Sequence, residues 1–184
     1  KIPIELNIYG NGPMLNELKN FLKKKKLSCV YFHGHTNNIK DKLKKSSIFI
    51  STSGSEGNSN SILEAMSFKL PIISTNIGGT LMLVGPEGEQ FISEIGDTKS
   101  ISQKLLLLIY NSSLRLKVSE EMYKRATKYF EIEKVANQYV NVYSEVIKEN
   151  SIEYINFCNK ELISYLHLQF EYSYTYNFTL ILIP

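Results

Sequence analysis

Residues 47–66 restrict the fold more than any other stretch of this chain. Ile48, Phe49 and Ile50 form a short apolar run that reads as a buried strand. From Ser51 to Ser59 the residues are small and polar apart from Glu56, and a helical pattern begins near Asn60. A strand end meeting a helix start is where open α/β sheets bind ligands. The glycines here let a ligand approach the backbone closely, and the N–H groups of a helix N-terminus hold an anion. Glu56 lies in the loop, and Glu64 follows eight positions later in the helix. Phosphate repels a carboxylate, so the natural partner of each is a hydroxyl pair, whose protons it accepts bidentately. A sugar nucleotide has this layout: a hexose diol, a diphosphate, a ribose diol.

Other strand and helix signals extend the junction into a fold class. Alternating residues at 4–9 end at Gly10 and predict a strand. Pro13 is expected in the first turn of a helix in which Leu15, Leu18, Phe21 and Leu22 recur through Lys26. Further strands are predicted at 28–33, 46–51, 71–75 and 91–95, with helices near 39–45 and 60–68. Gly78-Gly79 breaks the chain before another short element. From Asp97 the pattern is helical over 98–111, 113–127 and 131–149. Leu105–Ile109 is apolar all round, which predicts a buried helix. Strands alternating with helices in this way mean an α/β fold, with a parallel sheet, right-handed crossovers and flanking helices.

Residues 1–149 thus read as one domain and 150–184 as an aromatic-rich tail. In the tail Phe170, Tyr172, Tyr174, Tyr176, Phe178, Leu180 and Leu182 fall on every second residue. Such alternation asks for one wet and one dry face, so residues 170–182 are expected outside the parallel sheet. Three readings stand for them: an added edge strand, a segment docked on another domain, or sequence that does not fold.

Composition removes several classes of function. At 184 residues, 43% hydrophobic and 21% charged, the chain has the make-up of a soluble domain with a real core. Its net charge is only +3, and Arg115 and Arg125 are its sole arginines. Nucleic-acid binding calls for arginine clusters interleaved with aromatics, and none is present. Cys29 and Cys158 suit a reducing compartment, hence the cytoplasm. No apolar run reaches the roughly 18–20 residues of a membrane helix. The run Lys23–Lys26 reads as a solvated helix end that complements the dipole. His33 and His35 have no second ligand at metal-site spacing, so no metal is expected. Ser53, Ser55 and Ser59 lack a nucleophile elbow, and loop polarity explains them. Gly10 and Gly12 fail as a dinucleotide fingerprint, because its third glycine falls on Leu15.

Four ordered motifs carry a family resemblance over about residues 4–147. Glu56-Gly57 with Asn60 and Glu64-Ala65-Met66 resembles the E-x7-E signature of family 4, GT-B type retaining glycosyltransferases (glycosyl transferases group 1). Gly10-Asn11-Gly12-Pro13 resembles the family's GxGP after a strand, and Val30-Tyr31-Phe32-His33-Gly34 its V-x-F-x-G. Pro71–Gly79 resembles its P-V-I-x-T-x-x-G-G. The resemblance implies the Rossmann-like, C-terminal donor-binding half of a GT-B fold, with the N-terminal domain absent. It implies transfer of a hexose from a UDP- or GDP-sugar to a saccharide or lipid-linked acceptor, with retention, in surface polysaccharide or glycolipid synthesis. No cofactor or metal is implied. Glu56 is then the catalytic-site residue, taking the hexose hydroxyls, and Glu64 takes the ribose diol. Gly57, Asn58, Ser59, Asn60 and Ser61 present N–H groups to the diphosphate, while Gly10, Gly12, Gly34 and His35 border the donor. Asn60 also reads as a plain N-cap that starts the helix.

Where the family has a glycine ending this helix, Lys69 stands, at a cost of about 1 kcal/mol or a changed cap. Where it has a third acidic residue near the donor, Met82 stands. The family's Arg- and Lys-bearing segment for the diphosphate belongs before residue 1, and Lys1 suggests a missing N-terminus. The acceptor is expected to reach the donor through the absent N-terminal domain, with peripheral membrane association of the full-length enzyme. Two rivals remain: a GT-B-like sugar-nucleotide epimerase, and a non-catalytic truncated remnant.

Overall fold

The structure, a computed structural model, describes residues 3–146 and 179–183. The elements run β1 (Glu5–Tyr9), α1 (Leu15–Lys25), β2 (Val30–Gly34), α2 (Ile39–Lys44), β3 (Ile48–Ser51), α3 (Asn60–Ser67), β4 (Ile72–Thr75), α4 (Thr80–Glu89), β5 (Ile92–Ser93), α5 (Thr98–Tyr110), α6 (Ser112–Tyr129), α7 (Ile132–Val146) and β6 (Thr179–Ile183). Strands and helices alternate as the apolar patterning requires, with shifts of a residue or two at the ends. Pro13 precedes the first helix and is not in its first turn, because α1 starts at Leu15 after Met14.

One sheet of six strands holds the domain, in the order β2-β1-β6-β3-β4-β5. β1 and β2 pair in parallel, as do β3 with β4 and β4 with β5. β3 and β4 are buried at every position, as central strands covered on both faces must be. Phe49, Ile72 and Ile73 pack in the same core as Ile62, Ala65 and Met66 of α3, Leu83 and Val84 of α4, and Val118 and Met122 of α6. Each fully buried side chain of this size contributes about 1.5–3 kcal/mol. β2, at the edge, leaves Tyr31 and His33 exposed.

The tail expectation needs correction. Thr179–Ile183 does not stand outside the sheet but lies in its centre, antiparallel to both β1 and β3. The alternation that runs from Phe170 breaks down here, because Ile181 and Ile183 are as apolar as Leu180 and Leu182. Leu180–Ile183 is apolar at every position, the pattern of a strand covered on both faces. The aromatic positions Phe170–Phe178 lie outside the described residues.

A second correction concerns α5. Leu108 is fully buried and Leu105 and Ile109 pack against the core, but Leu106 and Leu107 are 48% and 47% exposed. A helix lying on a sheet has one covered face, and five consecutive apolar residues reach round it. Asn111 separates α5 from α6, its Oδ1 accepting from the Leu114 N–H at 2.9 Å.

Two devices replace simpler chemistry. Lys69 keeps the left-handed turn after α3 (φ 57°), and its ammonium reaches Glu120 at 3.0 Å and the face of Tyr123 at 4.7 Å. α4 breaks at Gly85 (φ 65°, ψ −173°). Pro86 has no N–H to offer the carbonyl of Met82, four residues back. Arg125 of α6 supplies the donors: Nη2 bonds the Met82 carbonyl at 2.6 Å and Nε the Leu83 carbonyl at 2.7 Å. A Cβ at Gly85 would lie 2.5 Å from the guanidinium carbon, so glycine gives the arginine room.

Arg125→Ala should lower the unfolding free energy by about 2–3 kcal/mol, since two carbonyls lose charged donors. Arg125→Lys should fall between, and an unchanged denaturation midpoint would refute the strut. Lys69→Gly should be more stable than Lys69→Ala by about 1 kcal/mol, because alanine keeps the left-handed strain without the side-chain contacts.

Candidate functional site

Because β6 opposes both β1 and β3, these two run the same way, and the C-terminal ends of β1–β5 share one edge of the sheet. From β1 the chain steps outward to β2; from β3 it steps outward the other way, to β4 and β5. The turning point falls between β1 and β3, where such sheets form a crevice for ligands. The two strand ends stand two strand spacings apart, about 10 Å.

On the β1 side, Gly10 (φ 118°) and Gly34 (φ 69°) meet directly, the Gly10 N–H bonding the Gly34 carbonyl at 2.7 Å. A Cβ on Gly34 would stand 3.3 Å from Asn11 Oδ1. Gly12 turns the chain into α1 by accepting from the Leu15 N–H at 3.1 Å. The His33 ring stacks on Tyr9 with centroids 4.7 Å apart, and its Nε2 is 2.5 Å from Asn7 Oδ1. Burial pushes the Tyr9 phenol up, which keeps it protonated. His35 is exposed just past the strand end.

On the β3 side the polar loop is fastened at several points. Ser53 Oγ donates to Glu56 Oε1 at 2.6 Å, orienting a half-buried carboxylate. Thr75 Oγ1 at the end of β4 donates to the Ser53 carbonyl at 2.6 Å. Gly57 and Asn58 are exposed. Ser59, and not Asn60, holds the N-cap position of α3; Asn60 is the first helical residue. Ser59 is buried, and its hydroxyl pairs with that of Ser61 at 2.9 Å and makes no capping bond to α3. The helix N-terminus, with its partial positive charge, lies between Glu56 and the half-buried Glu64 one turn inside. Among the described residues no three His, Cys, Asp or Glu gather as a metal site.

The seat of this loop went unrecognised in the sequence. Gly78 (φ 45°) and Gly79 carry Glu56, Gly57 and Asn58 on their open faces. A Cβ at Gly78 would be 2.1 Å from the Glu56 carbonyl oxygen, and one at Gly79 2.2 Å from Asn58 Oδ1. The Gly79 N–H also bonds the Gly57 carbonyl at 3.1 Å. The signal was the glycine pair itself, at the end of a strand neighbouring β3.

Comparison with known proteins bears on this edge. The family model described as glycosyl transferases group 1 matches residues 1–127. N-acetyl-alpha-D-glucosaminyl L-malate synthase of Bacillus anthracis is 24% identical over 82% of this chain and 40% of its own length. UDP-Gal:alpha-D-GlcNAc-diphosphoundecaprenol alpha-1,3-galactosyltransferase of Escherichia coli is 32% identical over 76% of this chain and 36% of its own. The chain therefore spans well under half the length of both. Among solved structures, the C-terminal domain of a glycosyl transferase group 1 family protein (LpcC) from Francisella tularensis superposes with a TM-score of 0.60 at 26% identity. It covers 66% of each chain.

Gly78→Ala should unseat the loop, since a methyl has no space against two backbone carbonyls and the positive φ adds strain of about 1 kcal/mol. Hydrogen exchange should rise across residues 53–59 while the amides of β4 stay protected. Unchanged exchange in the loop would show that it is not held from this side.

Proposed function

The chain belongs to the glycosyl transferases group 1 family, and from that premise we propose that residues 1–149 form the donor-binding half of a retaining hexosyltransferase. The donor is a UDP- or GDP-hexose lying across the crevice between β1 and β3. What supports this reading most is the N-terminus of α3 at the end of β3, with Glu56 in the loop before it and Glu64 within it.

The N–H groups of Gly57 to Ser61 take the diphosphate, Glu56 the hexose hydroxyls and Glu64 the ribose diol. Gly10, Gly12, Gly34 and His35 border the nucleotide on the far side. In the reaction the bond from the anomeric carbon to the diphosphate oxygen breaks, and its electron pair leaves with the diphosphate. The acceptor oxygen bonds to that carbon on the same face, and its proton passes to the departing diphosphate oxygen. The helix end stabilises the charge growing on the leaving group. The acceptor, a saccharide or a lipid-linked saccharide of a cell-surface polymer, is presented by a second domain, on the cytoplasmic side of the membrane.

Glu64→Ala should weaken nucleoside diphosphate binding about tenfold or more, the worth of a charge-assisted hydrogen bond. Calorimetry with UDP and GDP measures it, and an unchanged dissociation constant would remove the ribose role. Glu56→Ala should impair UDP- or GDP-hexose binding more than that of the bare nucleotide; equal losses would remove the hexose role.

The 184 residues by themselves should not transfer sugar. Orientation of donor and acceptor between two facing domains contributes about 7–11 kcal/mol to lowering such a barrier, and one domain offers a single wall. Hexose release from radiolabelled donors, with and without lipid or saccharide acceptors, is the assay. Turnover at enzyme-like rates would overturn the two-domain requirement.

A further inference from the structure

We infer that His33 and Asn7 are positioning residues for the nucleotide: together they hold an extra residue in β2 and so fix the corner of the crevice where Gly10 meets Gly34. That corner belongs to the nucleotide under the donor-binding reading above, on which this role rests.

β1 and β2 do not pair evenly. Asn7 stands opposite Tyr31 and Ile8 opposite Phe32, but the next residue of β1, Tyr9, stands opposite Gly34. His33 is therefore the extra residue of a β-bulge, a device that bends a strand and re-aims its end. The shift brings Gly34, with φ 69°, level with Tyr9, and there its carbonyl accepts from the Gly10 N–H at 2.7 Å. Having no residue opposite it, His33 reaches across to two residues of β1. Its ring stacks on Tyr9, with 4.7 Å between centroids and 14° between planes, and its Nε2 lies 2.5 Å from Asn7 Oδ1. An amide oxygen only accepts, so the imidazole donates through Nε2–H. The side chain of the bulge residue thus fastens the bulge to the strand it departs from.

Asn7 is an unfavourable residue for its position. It is 4% exposed, beside the equally buried Ile8 and Tyr9, and its Nδ2 has no partner among the described residues. A buried N–H without a partner costs stability, which a leucine of nearly the same shape would avoid. What the amide supplies is an acceptor for the exposed His33 ring. A costly polar group three residues before Gly10 serves the ligand edge more than the core, the usual trade between stability and function.

Two leucine variants separate this role from packing. His33→Leu and Asn7→Leu should each quicken hydrogen exchange at the Gly10 amide about tenfold or more. Each should also weaken binding of UDP or GDP to the full chain about fivefold, the worth of one hydrogen bond. Asn7→Leu should do so with a thermal midpoint at or above the parent's, because the orphaned amide is gone. A side chain that only packs the core would lower affinity and midpoint together. His33→Gln keeps an N–H donor for Asn7 and should restore most of the protection at Gly10. Unchanged exchange at Gly10, no recovery with His33→Gln, or an Asn7→Leu midpoint that falls in step with affinity would overturn the inference and leave the donor reading standing. Faster exchange with unchanged affinity, or no nucleotide binding by the parent chain, would overturn the donor reading of this corner and the inference with it.

Discussion

Neither β1 nor β3 can keep a bare inner edge in the middle of a packed sheet, because every peptide group there would be desolvated without a partner. The order β2-β1-β6-β3-β4-β5 meets that constraint with a strand drawn from the far end of the chain. The distance between the two halves follows from it, and with that distance the width of the crevice above. Gly10 and Gly34 on one side, and the loop from Ser53 to Ser59 on the other, are held at positions the central strand sets.

The loop is shaped from below as well as from its ends. Gly78 and Gly79 give it a floor no side chain interrupts, and Thr75 ties Ser53 to β4. The Ser53 hydroxyl then engages Glu56. α4 begins directly after the glycine pair, so its placement matters to the floor. Its break at Gly85-Pro86 would leave carbonyls unmet, and Arg125 fastens them to α6. A chain of contacts thus runs from the helical layer to the loop, each link a hydrogen bond or a close approach permitted by glycine.

Some of this was readable in the residues. The strand-loop-helix junction at 47–66 showed itself through a buried apolar run, a small polar stretch and a helical period, all local signals. The pair Glu56 and Glu64 needed only spacing. Lys69 was legible as a departure, but not as one whose side chain settles on Glu120 and Tyr123, 51 and 54 positions away, since nothing local points there. The exposure of Leu106 and Leu107 escaped for a related reason. Hydrophobicity tells that a residue prefers burial, and packing decides which of five neighbours obtains it.

The sequence by itself determined the alternation of strands and helices, their parallel sense through β5, and the polar junction at the end of β3. These rest on periodicity, crossover handedness and turn chemistry, which act over short stretches of chain. Only the tertiary structure decided which segment lies between β1 and β3 and in which direction. Leu180–Ile183 is apolar enough for any central slot, and its apolar pattern reads the same for a parallel as for an antiparallel strand. Polarity comes from the path of the chain and from which edges stand open to receive it. The seat of the loop on Gly78-Gly79 and the strut from Arg125 were likewise decided by close approach, a property of distances that no run of residues encodes alone.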